Sequence, residues 1–256
     1  MFLLAVYFVL GAVIGSFLNV CICRLPLGKS IVSPPSHCDS CGHRLGFLDM
    51  IPILSYVFLG GKCRYCHTHY SARSLLVEIL TGILFALAGL FYLPGLPLLA
   101  IFVFIACLIV VTFIDFDHQI IFDKFNLIML AAGILYHLTY TKHSAAANPY
   151  WDVLWGVALG GGLMLLIYLL SRGGMGEGDV KLSFVLGFWL GFKGVIVCLF
   201  LAFVLGGIVG ALLLASGLKT RKDPIPFGPY LCMGAYLSLL FGPYLIYYYW
   251  HFFASM

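Results

Sequence analysis

Charge is scarce in this sequence. Of 256 residues only 14 are Lys or Arg and 10 are Asp or Glu, 9% in all, against roughly 25% in a soluble domain. A water-soluble globule is therefore excluded. No residue of either sign occurs in Met1–Cys23, Ile79–Ile114, Phe125–Thr141, Val153–Ser171, Leu182–Phe192, Gly194–Leu218 or Pro224–Met256. The first of these runs lacks a basic n-region and a small-residue cleavage pattern, so it is expected to be a retained span and not a secretory signal. A basic stripe interleaved with aromatics is also missing, which argues against nucleic acid as a partner.

What is present is hydrophobic length. Each charge-free run can cross a bilayer, which needs about 20 apolar residues per helix. The run Ile79–Ile114 is too long for one crossing and is broken by Pro94, Gly95 and Pro97, residues whose turn chemistry suits a tight hairpin. The pattern predicts an all-α integral membrane protein of about eight transmembrane helices, over 2–22, 76–93, 97–115, 124–141, 150–171, 179–192, 194–217 and 228–250. Lys and Arg collect in loops that stay in the cytoplasm. With the N-terminus outside, Arg24, Lys29, Arg44, Lys62, Arg64, Arg73, Lys124, Arg172, Lys181, Lys219, Arg221 and Lys222 fall inside, and only Lys142 and Lys193 outside. The net charge of +4 is then a sorting feature.

Between the first two spans, Arg24 to Arg73 is rich in turn formers and is expected to be a small cytoplasmic lobe. It carries Cys38-Asp39-Ser40-Cys41 and Cys63-Arg64-Tyr65-Cys66, two C-x2-C knuckles at nearly the spacing of a four-thiolate zinc site. A segment this short has little core of its own, and a metal could supply the folding free energy it lacks. Two disulfides are the competing account, disfavoured in a reducing cytoplasm. His37, His43, His67 and His69 flank the knuckles, either as a replacement for one thiolate or as ordinary surface histidines. Cys21, Cys23, Cys107, Cys198 and Cys232 have no paired spacing and read as small packing residues.

The acids are few enough for their positions to carry weight, because charge within a bilayer is costly. Asp39, Asp49, Asp152 and Asp223 fall in loops. Asp115, Asp117 and Asp123 lie where the third span ends and the fourth begins, and Asp115 directly follows an apolar run. A second group, Glu177 and Asp179, sits in the glycine-rich segment Gly173 to Lys181, which opens the sixth span on the same side. Those glycines permit close backbone approach. Two aspartates from different helices meet the needs of peptide hydrolysis without a metal: one takes a proton from water and the other, protonated, hydrogen-bonds the scissile carbonyl. Interfacial carboxylates that merely stabilise helix ends would look the same in sequence.

Gly176-Glu177-Gly178-Asp179 has the GxGD form of intramembrane aspartyl proteases. Together with the cysteine lobe, Gly15 to Val20, Arg24-Leu25-Pro26, Glu78, Asp115 with the turn Ile121 to Asp123, Lys181, and Pro226 to Pro229, it resembles the bacterial type IV prepilin peptidases over nearly the whole chain. The resemblance implies a bifunctional enzyme. It would cleave a basic leader from prepilins or pseudopilins after a glycine, then N-methylate the new terminus with S-adenosylmethionine. It further implies Asp115 and Asp179 as a catalytic dyad, supported by Gly176, Gly178, Lys181 and Glu78, with Cys38, Cys41, Cys63 and Cys66 holding zinc. Three places depart from the family: Phe122 where proline is usual, Asp49-Met50-Ile51-Pro52, which lacks the asparagine often seen before Ile-Pro, and Ser74-Leu75 in place of Tyr-Pro.

The expected layout is a first span (1–23), a four-cysteine lobe (24–73) and a transmembrane protease core (74–256) in a bacterial inner membrane, in contact with lipid. Met175, Pro226 and Gly228 either line the entry of the leader or only break helices. Glu78 either contacts substrate or methyl donor or pairs with Arg73. Rival accounts are a peptidase without methyl transfer, a transporter using the same carboxylates, and a non-enzymatic scaffold.

Overall fold

The computed structural model describes residues 1–140, 149–171, 174–220 and 223–254. Lys142, Arg172, Gly173, Arg221 and Lys222, which the charge and glycine arguments used, lie outside the described residues. Eight helices are found among the described residues: α1 (Phe2–Arg24), α2 (Leu54–Phe58), α3 (Ala72–Phe91), α4 (Leu96–His118), α5 (Asp123–Tyr140), α6 (Pro149–Ser171), α7 (Glu177–Ala215) and α8 (Gly228–Ala254). Pairing of extended backbone is limited there to two isolated bridges, His37 with Arg44 and Lys62 with His69. The chain divides into two compact units at Leu98/Leu99.

In the first unit, α1 and α3 pack antiparallel, and small residues set their separation. A Cβ on Gly11 would lie 2.6 Å from the Thr81 carbonyl oxygen, and one on Gly15 would lie 2.9 Å from the Glu78 Cα. Such close backbone approach is how apolar helices associate in lipid, where hydrophobic exclusion from water is no longer a driving force. Asn19 ties the pair further, donating to the Ser74 carbonyl at 3.0 Å.

The second unit contains a turn close to the expected break at Lys193. At 39 residues α7 would be about 58 Å long if straight, nearly twice the roughly 30 Å hydrocarbon core of a bilayer. It is not straight, because Gly191 has φ 67° and ψ −175°, a conformation open essentially to glycine alone. The Ser183 carbonyl oxygen and Val195 Cγ2 both lie 2.8 Å from the point where a Gly160 Cβ would sit. Twelve residues of straight helix would part them by about 18 Å. α7 is therefore a helical hairpin, with a first limb of 177–190 and a second of 192–215, and α6 is packed against both.

Helix α5 runs parallel to the first limb. Trp189 Nε1 donates to the Met129 carbonyl at 2.7 Å, the His137 ring Nε2 lies 2.8 Å from the Phe188 carbonyl oxygen, and Trp189 stacks on Phe104 of α4 at 4.2 Å. On the second limb, Ser238 of α8 donates to the Gly194 carbonyl at 2.7 Å.

Six of these helices are long and apolar enough to cross a membrane: α1, α3, α4, α6, α7 and α8. The expected eight runs differ from these six helices in two places. The stretches 179–192 and 194–217 are the two limbs of α7, which turns at Gly191, two residues before the expected break at Lys193. α5 is shorter, at 18 residues, and is diluted by Asp123, Lys124, Asn126 and His137.

Candidate active site and metal centre

Asp115 sits one turn from the end of α4 and Asp179 in the first turn of α7; they are 5% and 8% exposed. The Asp115 charge acts on Asp179 electrostatically, so the fold brings into one neighbourhood two acids that lie 64 positions apart in the sequence. Asp115 is held by a main-chain donor at a helix start: Gly228, the first residue of α8, donates its N–H to Asp115 Oδ2 at 3.0 Å. Asp179 lies in the first turn of α7, its Oδ2 3.5 Å from the point where a Cβ on the N-cap Gly176 would sit. Free N–H groups and the helix dipole make such ends receptive to carboxylates.

Glycine is required here for space. A Cβ on Gly228 would fall 2.6 Å from Asp115 Oδ2, and one on Gly178 would fall 2.9 Å from Ile121 Cβ. Ile121 Cδ1 lies 3.2 Å from the same Gly228 point, so this side chain packs against both glycines beside the acids. Lys181 points outward, to Glu177 at 2.8 Å and Asp123 at 3.2 Å. Sequence reasoning left Gly228 as either a residue lining the leader's entry or a helix breaker, and missed that its N–H binds Asp115; the only available cue was a glycine at a helix start flanked by prolines.

In the first unit Glu78 is buried on α3, and its Oε2 accepts the Ile53 N–H at 2.8 Å. Ser16 of α1 also reaches the Glu78 carboxyl group. Ile53 adopts φ 63° and ψ −53°, a backbone state costly for a β-branched residue. Glu78 thus fastens the strained segment before α2 onto the α1–α3 pair.

The ligating atoms of Cys38, Cys41, Cys63 and Cys66 all lie within 4.8 Å of one another. Cys38 Sγ and Cys66 Sγ are 3.7 Å apart, too far for a disulfide. That spacing matches the roughly 3.8 Å between thiolates on a tetrahedral ion with metal–sulfur bonds of ~2.3 Å. All nine cysteines are free. The two knuckles repeat one backbone design: Cys38 N–H donates to His43 O and Gly42 N–H to Cys38 O, while Cys63 N–H donates to Thr68 O and His67 N–H to Cys63 O. Gly42 and His67, each four residues past its first cysteine, have φ of 69° and 57°. The flanking histidines stand outside the thiol cluster, and His43 instead packs on Tyr65 at 3.6 Å. The Tyr70 hydroxyl beside it, with the Cys66 and Tyr65 N–H groups, pulls the Cys63 thiol down to about 6, which favours the thiolate that a metal binds.

Comparison with known proteins gives the family. Residues 9–92 match the bacterial peptidase A24 N-terminal domain and residues 102–211 the type IV leader peptidase family. A prepilin leader peptidase/N-methyltransferase of Bacillus subtilis (strain 168) is 32% identical over 96% of this chain and 98% of its own. The chain belongs to the type IV leader peptidase family. Other family members similar to it, also named prepilin leader peptidase/N-methyltransferase, come from Aeromonas salmonicida (strain A449), 33% identical over 92% of this chain and 89% of that one, and Dichelobacter nodosus, 34% over 93% and 92%. No solved structure matches.

Proposed function

We propose that this chain cleaves the basic leader from type IV prepilins or pseudopilins and N-methylates the exposed terminus, with Asp115 and Asp179 as the hydrolytic dyad. The observation that carries the reading is the pair of buried acids, one tied by a main-chain N–H at the start of α8 and the other in the first turn of α7, electrostatically linked to each other.

The chemistry follows from what two such acids can do. One, ionised, removes a proton from a water molecule as that water adds to the scissile carbonyl. The other, protonated, hydrogen-bonds the carbonyl oxygen and transfers its proton as the tetrahedral adduct forms. Collapse of the adduct breaks the C–N bond, and the departing amine takes a proton from the dyad. Two nearby carboxyl groups resist double ionisation, so they share one proton and titrate as a unit. A main-chain N–H holds Asp115 in place without adding a competing positive charge.

A prepilin presents a basic leader followed by an apolar helix, so its cleavage point would sit at the cytoplasmic membrane interface. The proposed topology puts the dyad there: an inner-membrane protein of eight crossings with the N-terminus outside, counting α5 and each limb of α7. Cys38, Cys41, Cys63 and Cys66 would hold a structural zinc ion that ties the two knuckles together. S-adenosylmethionine would supply the methyl group to the new N-terminus.

The test is cleavage of a prepilin by purified Asp115→Asn and Asp179→Asn proteins, with folding checked by thermal stability. Loss of at least a thousandfold in either variant is expected. Cleavage near the wild-type rate in either would refute the dyad. Methyl incorporation from labelled donor into cleaved pilin tests the second activity.

A further inference from the structure

Among the described residues of the second unit, three buried side chains hold polar atoms without a hydrogen-bond partner: Asp179 through Oδ1, Ser183 through Oγ and Asn126 through both amide atoms. Ser183 is fully enclosed, at 0% exposure. Buried polar groups are almost always paired, with protein or with ordered water, and an orphan well inside a helical bundle points to a water molecule.

Asn126 is a separate case. It lies on the α5 stripe with Asp123 and Met129, which meets the first limb at Lys181 and Trp189. Ser183 is two residues beyond Lys181, and at about 100° per residue it projects to the far side of that limb. It does share a face with Asp179, four residues before it and one turn nearer the helix start.

The Cβ atoms of residues at this spacing are about 5–6 Å apart, so the two side chains are stacked neighbours whose oxygens are within reach of one shared water. We propose that Ser183 is a positioning residue that holds one ordered water against Asp179 Oδ1. This rests on the dyad reading and deepens it. Asp179 Oδ2 lies beside Gly176 at the helix start, and the water meets Oδ1 from one turn deeper, so the acid is flanked on both sides. Main-chain N–H groups only donate. A serine hydroxyl and a water can each donate or accept, so the link persists whether Asp179 is ionised or protonated, which an acid that changes state during turnover requires.

The experiment compares cleavage kinetics of the full-length protein with Ser183→Ala, Ser183→Cys and Ser183→Thr, alongside Asp179→Asn. The expected result is a kcat reduced roughly tenfold to a hundredfold in the Ala and Cys variants, with KM and thermal stability unchanged and kcat restored in the Thr variant. Cys keeps the volume while donating weakly, so a purely structural role predicts wild-type kcat there. Wild-type kcat in both Ala and Cys, or losses that follow stability and are not restored by Thr, overturns the proposal. An experimental map that resolves waters is expected to place one within about 3.2 Å of Ser183 Oγ and Asp179 Oδ1, and an occupied site elsewhere with none here overturns it too. If Asp179→Asn itself cleaves normally, the dyad reading fails instead, whatever the serine variants do.

Discussion

Asp115 Oδ2 accepts its hydrogen bond from the main-chain N–H of Gly228, 113 residues further along the chain. Every residue but proline would keep that N–H at 228, but not the space, since a Cβ there would stand 2.6 Å from Asp115 Oδ2 and 3.1 Å from its Cγ. Gly228→Ala is expected to displace the carboxyl group and lower kcat for prepilin cleavage at least tenfold, with the protein still folded in detergent. Wild-type turnover in this variant would show that the acid has room to move.

The cysteine cluster predicts one metal ion per chain. Cys38→Ser and Cys63→Ser should each lose it by elemental analysis, and proteolysis between the knuckles should accelerate, because an unmetallated lobe has little core. Full metal content in either variant would remove that cysteine from the ligand set.

Acid should release the metal. The Cys63 thiol is drawn down to about 6 from an unfolded value near 8.5. A group depressed on folding contributes stability that is fully present above its unfolded value and is lost as pH falls through the folded one. Bound metal pushes that loss lower still, because protons must displace the ion. A chromophoric chelator should therefore detect no release at pH 7 and progressive release below about 6. Retention at pH 4 would speak against thiolate ligation.

His67 occupies, at φ 57°, the place that Gly42 fills in the other knuckle. Left-handed backbone costs a non-glycine residue about 1 kcal/mol, so His67→Gly is expected to leave metal content unchanged and to stabilise the lobe slightly against thermal unfolding. Metal loss in this variant would instead make His67 a ligand.

Glu78→Gln keeps a carbonyl acceptor for the Ile53 N–H, whereas Glu78→Ala removes it. Hydrogen exchange at Ile53 should accelerate at least tenfold in the Ala variant and little in Gln. Equal protection in all three proteins would mean that the strained segment is held by other contacts.

Much of this molecule could be read from its sequence because lipid and metal impose simple rules. Charge-free length located the helices, the pair Pro94 and Gly95 marked the break between α3 and α4, and the knuckle spacing marked the thiol cluster. What could not be read depends on backbone states and distant pairs. The turn inside α7 was legible to within two residues from Lys193, but its position was not, since only a positive φ sets Gly191 apart from Gly187 or Gly194. Ile53 carries no sequence cue for its positive φ, and the carboxylate that accepts its N–H comes from α3, 25 positions away. Orphaned polar atoms such as Ser183 Oγ emerge only once helices are packed.

Holding Asp115 by a peptide N–H at the first residue of a helix has a further result. No side chain supplies that bond, so its donor outlasts exchange of the side chains around it, while the room for the acid depends on residue 228 staying bare and on the angle at which α8 begins.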